Sequence, residues 1–170
     1  MSQEKLTRND KFYLSLLRCV ASNSIAVKRK VGAIVGISDE TFQPKIISTG
    51  YNRMTLKSEN QQCEDKNGKT FDSVLHAEED AIITALKQAS EITLTKSTIY
   101  CTYSPCINCC KIIVLSGIKR LIYIDKHAVN FHTNGELNIC CQDFLIENDV
   151  EVIRVDEQTK EIIEHYHGKS

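Results

Sequence analysis

Short runs rich in β-branched residues alternate with segments of helical spacing along most of this chain. The runs with the composition of buried strands are residues 30–37, 44–51, 98–102, 120–124 and 150–155. The segments with helical spacing or helix-end signals are residues 6–22, 76–89, 106–116 and 135–148. This order predicts an α/β fold with three layers, α/β/α, in which helices cover both faces of a five-stranded mixed sheet.

The length and the turn-forming residues predict a single domain. The chain has 170 residues, and its seven Gly and two Pro form no flexible linker. We expect the core to extend over about residues 12–155. Residues 156–170 should form a polar tail, for which a helix is the candidate secondary structure. Residues 52–74 are polar, and a loop of that length usually carries function or is partly disordered.

The charge balance indicates a small-molecule ligand rather than a nucleic-acid polymer. The formal net charge is −1, so the chain has no overall positive field that would attract a polyanion. Lys28, Arg29 and Lys30 form one local basic stretch, which is enough for a single phosphate group.

The N-terminal sequence and the cysteines indicate a reducing compartment. The first ten residues lack the apolar stretch of a secretory signal, and no run approaches the roughly 20 apolar residues that span a membrane. We therefore expect a cytoplasmic protein without membrane contact. Its eight cysteines are then metal ligands or buried residues rather than disulfides.

A histidine and a Cys-x-x-Cys pair stand where two of the predicted helices begin. His76 opens one helix, and Cys106 and Cys109 open another after Pro105, a residue suited to a helix start. Cysteines three residues apart share one helix face, and a helix N-terminus favours the thiolate that zinc requires. Three nitrogen and sulfur ligands with one open position predict a catalytic site for one zinc ion.

Each motif alone has a second interpretation. A histidine at a helix start is commonly an ordinary polar residue, and Cys-x-x-Cys is also a redox motif. The redox motif normally lies near the first strand of its fold, whereas Cys106 follows a later strand. The combination with Glu78, two residues after His76, favours the metal site.

The order His-x-Glu followed by Pro-Cys-x-x-Cys resembles the signature of the zinc nucleobase deaminases. Beyond these motifs, the chain is similar to the cytidine and deoxycytidylate deaminase superfamily, above all to its deoxycytidylate deaminase branch. The similarity extends over about residues 12–155 and is carried by residues 31–35, 48–52, 76–82, 102–109 and 116–123. It implies a cytidine deaminase-like fold, hydrolysis of dCMP to dUMP and ammonia as a supply for thymidylate synthesis, and a homo-oligomer.

The metal site and Glu78 have complementary roles in such a hydrolysis. Water acidified by zinc supplies the hydroxide that attacks the ring carbon carrying the amine. The carboxylate of Glu78 takes a proton from the water, passes it to the ring nitrogen, and then protonates the departing amine. Glu79 and Asp80 follow directly, and we expect them to be solvated charges at the helix N-terminus.

The resemblance implies substrate contacts residue by residue. Asn52 holds the sugar, and the backbone of Ala77 accepts a hydrogen bond from the amine. Arg29 and Lys30 contact the 5′-phosphate, although ordinary surface charge explains both equally well. Val31, Gly32 and Ala33 flank the ring. Ser104, the serine of the second zinc motif, completes the set of implied substrate-binding residues.

The chain departs from the family pattern at two places and has one additional candidate metal ligand. Arg53 and Met54 follow Asn52 where regulated members have glycines and a proline, so control by dCTP and dTTP is not implied. His127 stands near a position that is commonly tyrosine, either as a phosphate or sugar contact or as an ordinary loop residue. Cys63 is a candidate for a second, structural zinc site, but no second tight spacing of ligands supports one.

Three other functions compete with this interpretation. A tRNA adenosine deaminase uses the same zinc motifs but needs a basic surface for its RNA, which this composition does not indicate. A deaminase of free cytosine nucleosides would not need the basic stretch. A zinc-stabilised binding module would not need Glu78 and would normally have a fourth protein ligand.

Overall fold

The computed structural model describes residues 6–39, 41, 43–55, 57, 59–125 and 137–167. Within these residues the chain forms helices and strands in this order: α1 (Arg8–Ser22), β1 (Gly32–Ile37), β2 (Lys45–Tyr51), α2 (Ala77–Gln88), α3 (Glu91–Thr95), β3 (Ser97–Tyr103), α4 (Ile107–Leu115), β4 (Arg120–Asp125), α5 (Leu137–Glu147), β5 (Glu151–Val155) and β6 (Ile162–Tyr166). None of the helices in the described ranges has the length and apolar character to span a membrane.

All the strands join one mixed sheet, as predicted. Their order across the sheet is β2-β1-β3-β4-β5-β6. The central strands β3, β4 and β5 are parallel, whereas β1 and β2 on one side and β6 on the other run antiparallel to their neighbours. The parallel strands place the loops that follow them at one edge of the sheet, where sites of such folds usually lie.

The predictions of a five-stranded sheet and of a helix in the tail are both wrong, because the tail forms a sixth strand, β6. β6 pairs antiparallel with β5. In the turn between them, Asp156 Oδ1 accepts hydrogen bonds from the backbone N–H groups of Gln158 and Thr159. A five-residue edge strand that carries polar residues has a weak sequence signal, because pairing with β5 rather than its own composition stabilises it.

The side chains of the strands alternate between two buried layers, which confirms the three-layer architecture. Ala33, Ile99 and Leu121 face a core that they share with α2, α4 and α5. Ile34 and Tyr100, their neighbours along the strands, face a second core that they share with α1.

Gly50 allows the first turn of α2 to lie directly against β2. A Cβ atom at this position would stand 2.3 Å from both the Ala77 carbonyl oxygen and the Ala81 nitrogen, which is closer than any side chain permits. The Ser48 hydroxyl donates a hydrogen bond to the Ala81 carbonyl oxygen across the same contact. The position of the α2 N-terminus therefore depends on a glycine in the strand beneath it.

A buried carboxylate links α1 to the central strands on the opposite face of the sheet. The Asp10 side chain is 0% exposed and accepts hydrogen bonds from the Tyr100 hydroxyl at 2.5 Å and from Arg120 Nη1 at 2.8 Å. Arg120 Nε also donates to Glu151 on β5 at 2.6 Å. A single arginine thus compensates the charge of a buried carboxylate and joins it to a third strand.

We expect Arg120→Met to lower the free energy of unfolding by about 3–5 kcal/mol, because removing one partner leaves the Asp10 charge buried without compensation. Arg18→Met is the matched control, since Arg18 pairs with Glu157 while their side chains are 43% and 40% exposed. That change should lower the free energy of unfolding by no more than about 1 kcal/mol. Urea denaturation of both variants measures the two values, and equal losses would contradict a structural role of the Asp10 pair.

Candidate active site

Two helix starts bring one histidine and two cysteines together. His76 is the N-cap of α2, and Cys106 is the N-cap of α4, with Cys109 in its first turn. His76 Nδ1 lies 3.4 Å from Cys109 Sγ and 3.6 Å from Cys106 Sγ, and the two sulfur atoms are 3.6 Å apart. Zn–S bonds of about 2.3 Å and Zn–N bonds of about 2.0–2.1 Å place tetrahedral ligand atoms roughly 3.5–3.8 Å apart, so the three atoms fit one zinc ion.

The helix after the second motif begins two residues after Pro105 and one residue after the predicted start at residue 106. α4 starts at Ile107, so Pro105 precedes the N-cap rather than occupying the first helical position. This shift leaves Cys106 with extended backbone angles, φ −75° and ψ 169°, just outside the helix. Both sulfur atoms can then point towards His76 from the same end of α4.

Hydrogen bonds within this cluster set the protonation of its members. The hydrogen bond between the two sulfur atoms lowers the pKa of Cys106 to about 3 and raises the pKa of Cys109. The hydrogen bond to Cys106 raises the pKa of His76 to about 9. The cluster thus combines a thiolate with a histidine and a second thiol, and a metal ion that binds here displaces the remaining protons.

Glu78 is a buried carboxyl group in the first turn of α2, beside this cluster. Its exposed fraction is 4%, and burial raises its pKa to about 7. A carboxyl group with a pKa near neutrality both accepts and releases a proton under ordinary conditions, which is the requirement for general acid–base catalysis.

A cleft of about 650 Å³ opens at the cluster and at Glu78. Of the residues that the sequence predicted for the site, those that line the cleft are Arg29, Val31, Asn52, His76, Ala77, Glu78, Ser104 and Cys106. The predicted substrate contacts Lys30, Gly32 and Ala33 are not among its lining residues. His127 lies outside the described residues.

The packing of β1 explains why two of these residues lie away from the cleft. A Cβ atom on Gly32 would meet the backbone of Leu17 and Ala21 at 2.8 and 2.7 Å, so this glycine permits the close approach of α1. Ala33 is fully buried in the core beneath α2 and α4. Both residues support the strand end at which Val31 reaches the cleft.

Asn52 makes two hydrogen bonds to the loop segment that precedes β1. Its Oδ1 accepts from the Val31 N–H at 2.8 Å, and its Nδ2 donates to the Arg29 carbonyl oxygen at 2.9 Å. A side-chain amide offers two donors and two acceptor positions, so one of each is left over from these bonds. Asn52 therefore positions residues 29–31 in addition to any contact with a ligand.

The basic stretch is held at the cleft by further contacts that the sequence analysis missed. The guanidinium group of Arg29 lies 4.9 Å from the ring centre of Tyr103, which also lines the cleft. Glu64 accepts hydrogen bonds from the backbone N–H groups of Val27 and Lys28 at 3.1 and 3.2 Å. Lys28 lines the cleft, and so does Lys69 of the polar loop. No sequence motif indicated these loop residues. They are distant from the zinc motifs along the chain, so the sequence does not show that they lie at the same cleft.

Of the two acidic residues after Glu78, Asp80 is buried rather than solvated, contrary to expectation, whereas Glu79 is partly exposed at the helix N-terminus. Asp80 accepts two hydrogen bonds from Arg53, at 3.0 Å from Nε and 2.5 Å from Nη2. Glu79 Oε2 accepts from the His76 N–H at 2.9 Å. Arg53 stands at a departure from the family pattern, and here it ties the segment after β2 to the helix that carries Glu78.

Cys63 belongs to a small apolar cluster beneath the polar loop. It packs with Ala26, Met54 and Val74. Burial raises the pKa of its thiol, which disfavours the thiolate that a metal requires. Among the described residues, Cys63 does not join any group of three metal-binding side chains.

The chain belongs to the family described as cytidine and deoxycytidylate deaminase zinc-binding region, whose sequence model matches residues 7–125. It is similar to the deoxycytidylate deaminase of Saccharomyces cerevisiae, with 27% identity over 129 residues that cover 71% of this chain and 39% of the yeast protein. It is also 37% identical over 93 residues to a tRNA-specific adenosine deaminase of Buchnera aphidicola, covering 55% of this chain and 50% of that protein.

The fold is similar to that of a solved deaminase structure. The dCMP deaminase of cyanophage S-TIM5, in complex with dCMP and dUMP, superimposes with a TM-score of 0.70 and 28% identity. The match covers 85% of this chain and 95% of the phage chain. The family's zinc-binding region includes His76, Cys106 and Cys109, the three residues that meet in the cluster.

Proposed function

We propose that this chain catalyses the zinc-dependent hydrolysis of dCMP to dUMP and ammonia. The observation that carries the proposal is the buried Glu78, with its pKa near 7, beside the His76, Cys106 and Cys109 cluster in one cleft. The phage protein of similar fold, whose structure holds dCMP and dUMP, supports a cytosine mononucleotide as the substrate.

His76 Nδ1 and the sulfur atoms of Cys106 and Cys109 would hold one zinc ion. The donor set of one imidazole and two thiolates suits zinc and leaves one coordination position open. When bound, the ion makes water nucleophilic at neutral pH. The protein has to supply everything else: proton transfer, orientation of the base and recognition of the phosphate.

Glu78 carries the proton in this proposal. Its carboxylate takes a proton from water and delivers it to the ring nitrogen beside the amine-bearing carbon. It then takes the second proton from the hydroxyl group added to that carbon and gives it to the departing amine. Ala77 also lines the cleft, but its carbonyl oxygen packs against β2 at Gly50, so this geometry does not favour the hydrogen bond expected from that amine. Burial keeps water from competing for the proton during the transfer.

Residues at the other end of the lining would bind the sugar and the phosphate. Asn52 and Ser104 offer hydrogen bonds to the sugar, and Val31 packs against the base. Arg29 and its neighbour Lys28 provide positive charge for the 5′-phosphate. The homo-oligomer and the cytoplasmic location remain proposals that rest on the family resemblance and the composition.

The second candidate is a tRNA adenosine deaminase, favoured by the similarity to the Buchnera protein. Besides Glu78, two acidic residues line the cleft together with Lys28, Arg29 and Lys69; they are Glu64 and Asp72. A polyanion needs several uncompensated phosphate contacts, so this balance of charge suits one phosphate group better.

Replacing Cys106 with Ala should remove zinc from the purified protein, because within the described part of the chain the cluster contains no fourth protein ligand. Cys110→Ala is the matched control: the residue lies on the same helix, and its sulfur atom belongs to the buried core rather than to the cluster. Elemental analysis should find one zinc per chain in the parent and in the control. Full zinc content in the Cys106 variant would refute the ligand assignment.

We expect Glu78→Gln to keep zinc and lose about 100- to 10,000-fold in kcat, because an amide cannot transfer the proton. Glu79→Gln makes the same chemical change one residue away and keeps an oxygen that accepts from the His76 N–H. Its kcat should stay within a few-fold of the parent value. Ammonia release measures both, and comparable turnover of the two variants would mean that another group transfers the proton.

The 5′-phosphate should raise kcat/KM, and Arg29 should account for part of this effect. A charged hydrogen bond contributes about 1.5–3 kcal/mol, so Arg29→Ala should lower kcat/KM for dCMP by about 10- to 100-fold and leave deoxycytidine nearly unchanged. Lys30→Ala removes an adjacent charge that does not line the cleft and serves as the control.

Deamination rates of dCMP, deoxycytidine and an anticodon stem-loop, at one ionic strength, separate the candidate functions. Equal efficiency with dCMP and deoxycytidine would replace the nucleotide proposal by a nucleoside deaminase. Activity with the stem-loop alone would establish the adenosine deaminase. A larger loss of kcat/KM for dCMP in the Lys30 variant than in the Arg29 variant would assign the phosphate contact to Lys30. The proposed reaction would stay the same.

A further inference from the structure

Three metal-binding side chains meet at the edge of the sheet opposite the cleft. Glu151 is the first residue of β5, and His165 and His167 lie at the end of β6. One donor atom from each lies within 4.8 Å of the other two. The cleft lies beyond the carboxyl end of β3, whereas this group lies at the amino end of the parallel strand β5, so the two sites are separate.

The pairing of the last two strands brings these residues together. His165 stands opposite Ile153 in the antiparallel register, and residues two apart on a strand point to the same face. His167 therefore follows His165 on one face, and Glu151 precedes Ile153 on the same face of β5. The imidazole rings are adjacent, with their centres 4.1 Å apart.

The carboxylate of Glu151 is oriented by the buried network described above. Its Oε2 accepts from Arg120 Nε at 2.6 Å, and Arg120 is itself held by Asp10. This contact leaves Oε1 directed at His165, whose Nε2 lies 2.7 Å away. Outer partners that fix a ligand in this way are typical of metal sites.

We propose that Glu151, His165 and His167 bind one divalent transition-metal ion, such as zinc, nickel or cobalt. Two imidazole nitrogens and a carboxylate oxygen suit these ions. Metal–ligand bonds of about 2.0–2.2 Å place such ligand atoms roughly 3.3–3.5 Å apart. This separation lies between the 2.7 Å from His165 Nε2 to Glu151 Oε1 and the 4.8 Å within which all three donor atoms lie. The ion replaces the direct contact between His165 Nε2 and Glu151 Oε1, after a shift of less than about 1 Å.

Such an ion would fasten the C-terminal strand to the sheet. β6 is an edge strand joined to the fold through β5. The ion bridges the two strands, so it binds the paired form and stabilises it by mass action. The side chains of His165 and Glu151 are 17% and 25% exposed, which leaves the site open to ions from solvent.

Titration with Co²⁺ of protein that carries one zinc ion per chain tests the proposal without using the proposed reaction as a readout. The parent should bind one additional ion per chain, with a visible spectrum that lacks thiolate-to-cobalt charge transfer, because the ligands contain no sulfur. His167→Ala and Glu151→Gln should each raise the Kd by at least about 100-fold, since loss of even an outer-shell partner raises it about 10- to 100-fold. Glu161→Gln, an acidic position of the same hairpin outside the group, should bind like the parent.

Thermal unfolding provides the second measurement. Co²⁺ should raise the Tm of the parent and of Glu161→Gln but not that of His167→Ala. The His167 side chain is exposed, so this variant keeps the fold even if Glu151→Gln does not. Failure of the parent to bind a second ion would overturn the proposal. So would a thiolate charge-transfer band from the added ion, or the same affinity in His167→Ala as in the parent.

Discussion

The contact between β2 and the first turn of α2 is the constraint on which the candidate site depends. Gly50 lets the helix approach so closely that any Cβ atom would stand 2.3 Å from its backbone. Arg53, which follows the same strand, forms a two-fold hydrogen-bonded pair with Asp80 in the helix. His76 and Glu78 lie in the turn that these contacts hold. Their distance from the start of α4, and so the spacing of the metal ligands, follows from this contact.

Two buried carboxyl groups show how environment separates a structural role from a chemical one. Asp10 receives hydrogen bonds from Tyr100, Arg120 and the Thr7 N–H, so its charge is compensated and it joins α1 to the sheet. For Glu78, burial is the largest influence on the pKa and brings it to about 7. A buried carboxyl group in a cleft that gains and loses a proton near neutrality is suited to catalysis rather than to stability.

Two side chains position the basic stretch through hydrogen bonds to its backbone. Asn52 binds the backbone at Arg29 and Val31, and Glu64 binds the backbone at Val27 and Lys28. The stretch is therefore positioned before any ligand arrives, which lowers the entropy lost when a phosphate binds. This support comes from the polar loop, so residues 59–75 contribute to the cleft although they contain no helix or strand of their own.

The sequence by itself determined the features that depend on local pattern. The β-branched runs and helical spacing predicted the layers and the mixed sheet, and the two zinc motifs predicted that His76, Cys106 and Cys109 would meet beside Glu78. Only the tertiary structure decided the features that depend on partners distant in the chain. β6 is a strand because β5 pairs with it, and Asp80 is buried because Arg53 reaches it. Arg29 lines the cleft while Lys30 does not, because backbone direction at the end of a loop is set by contacts such as those of Asn52, which no local periodicity encodes.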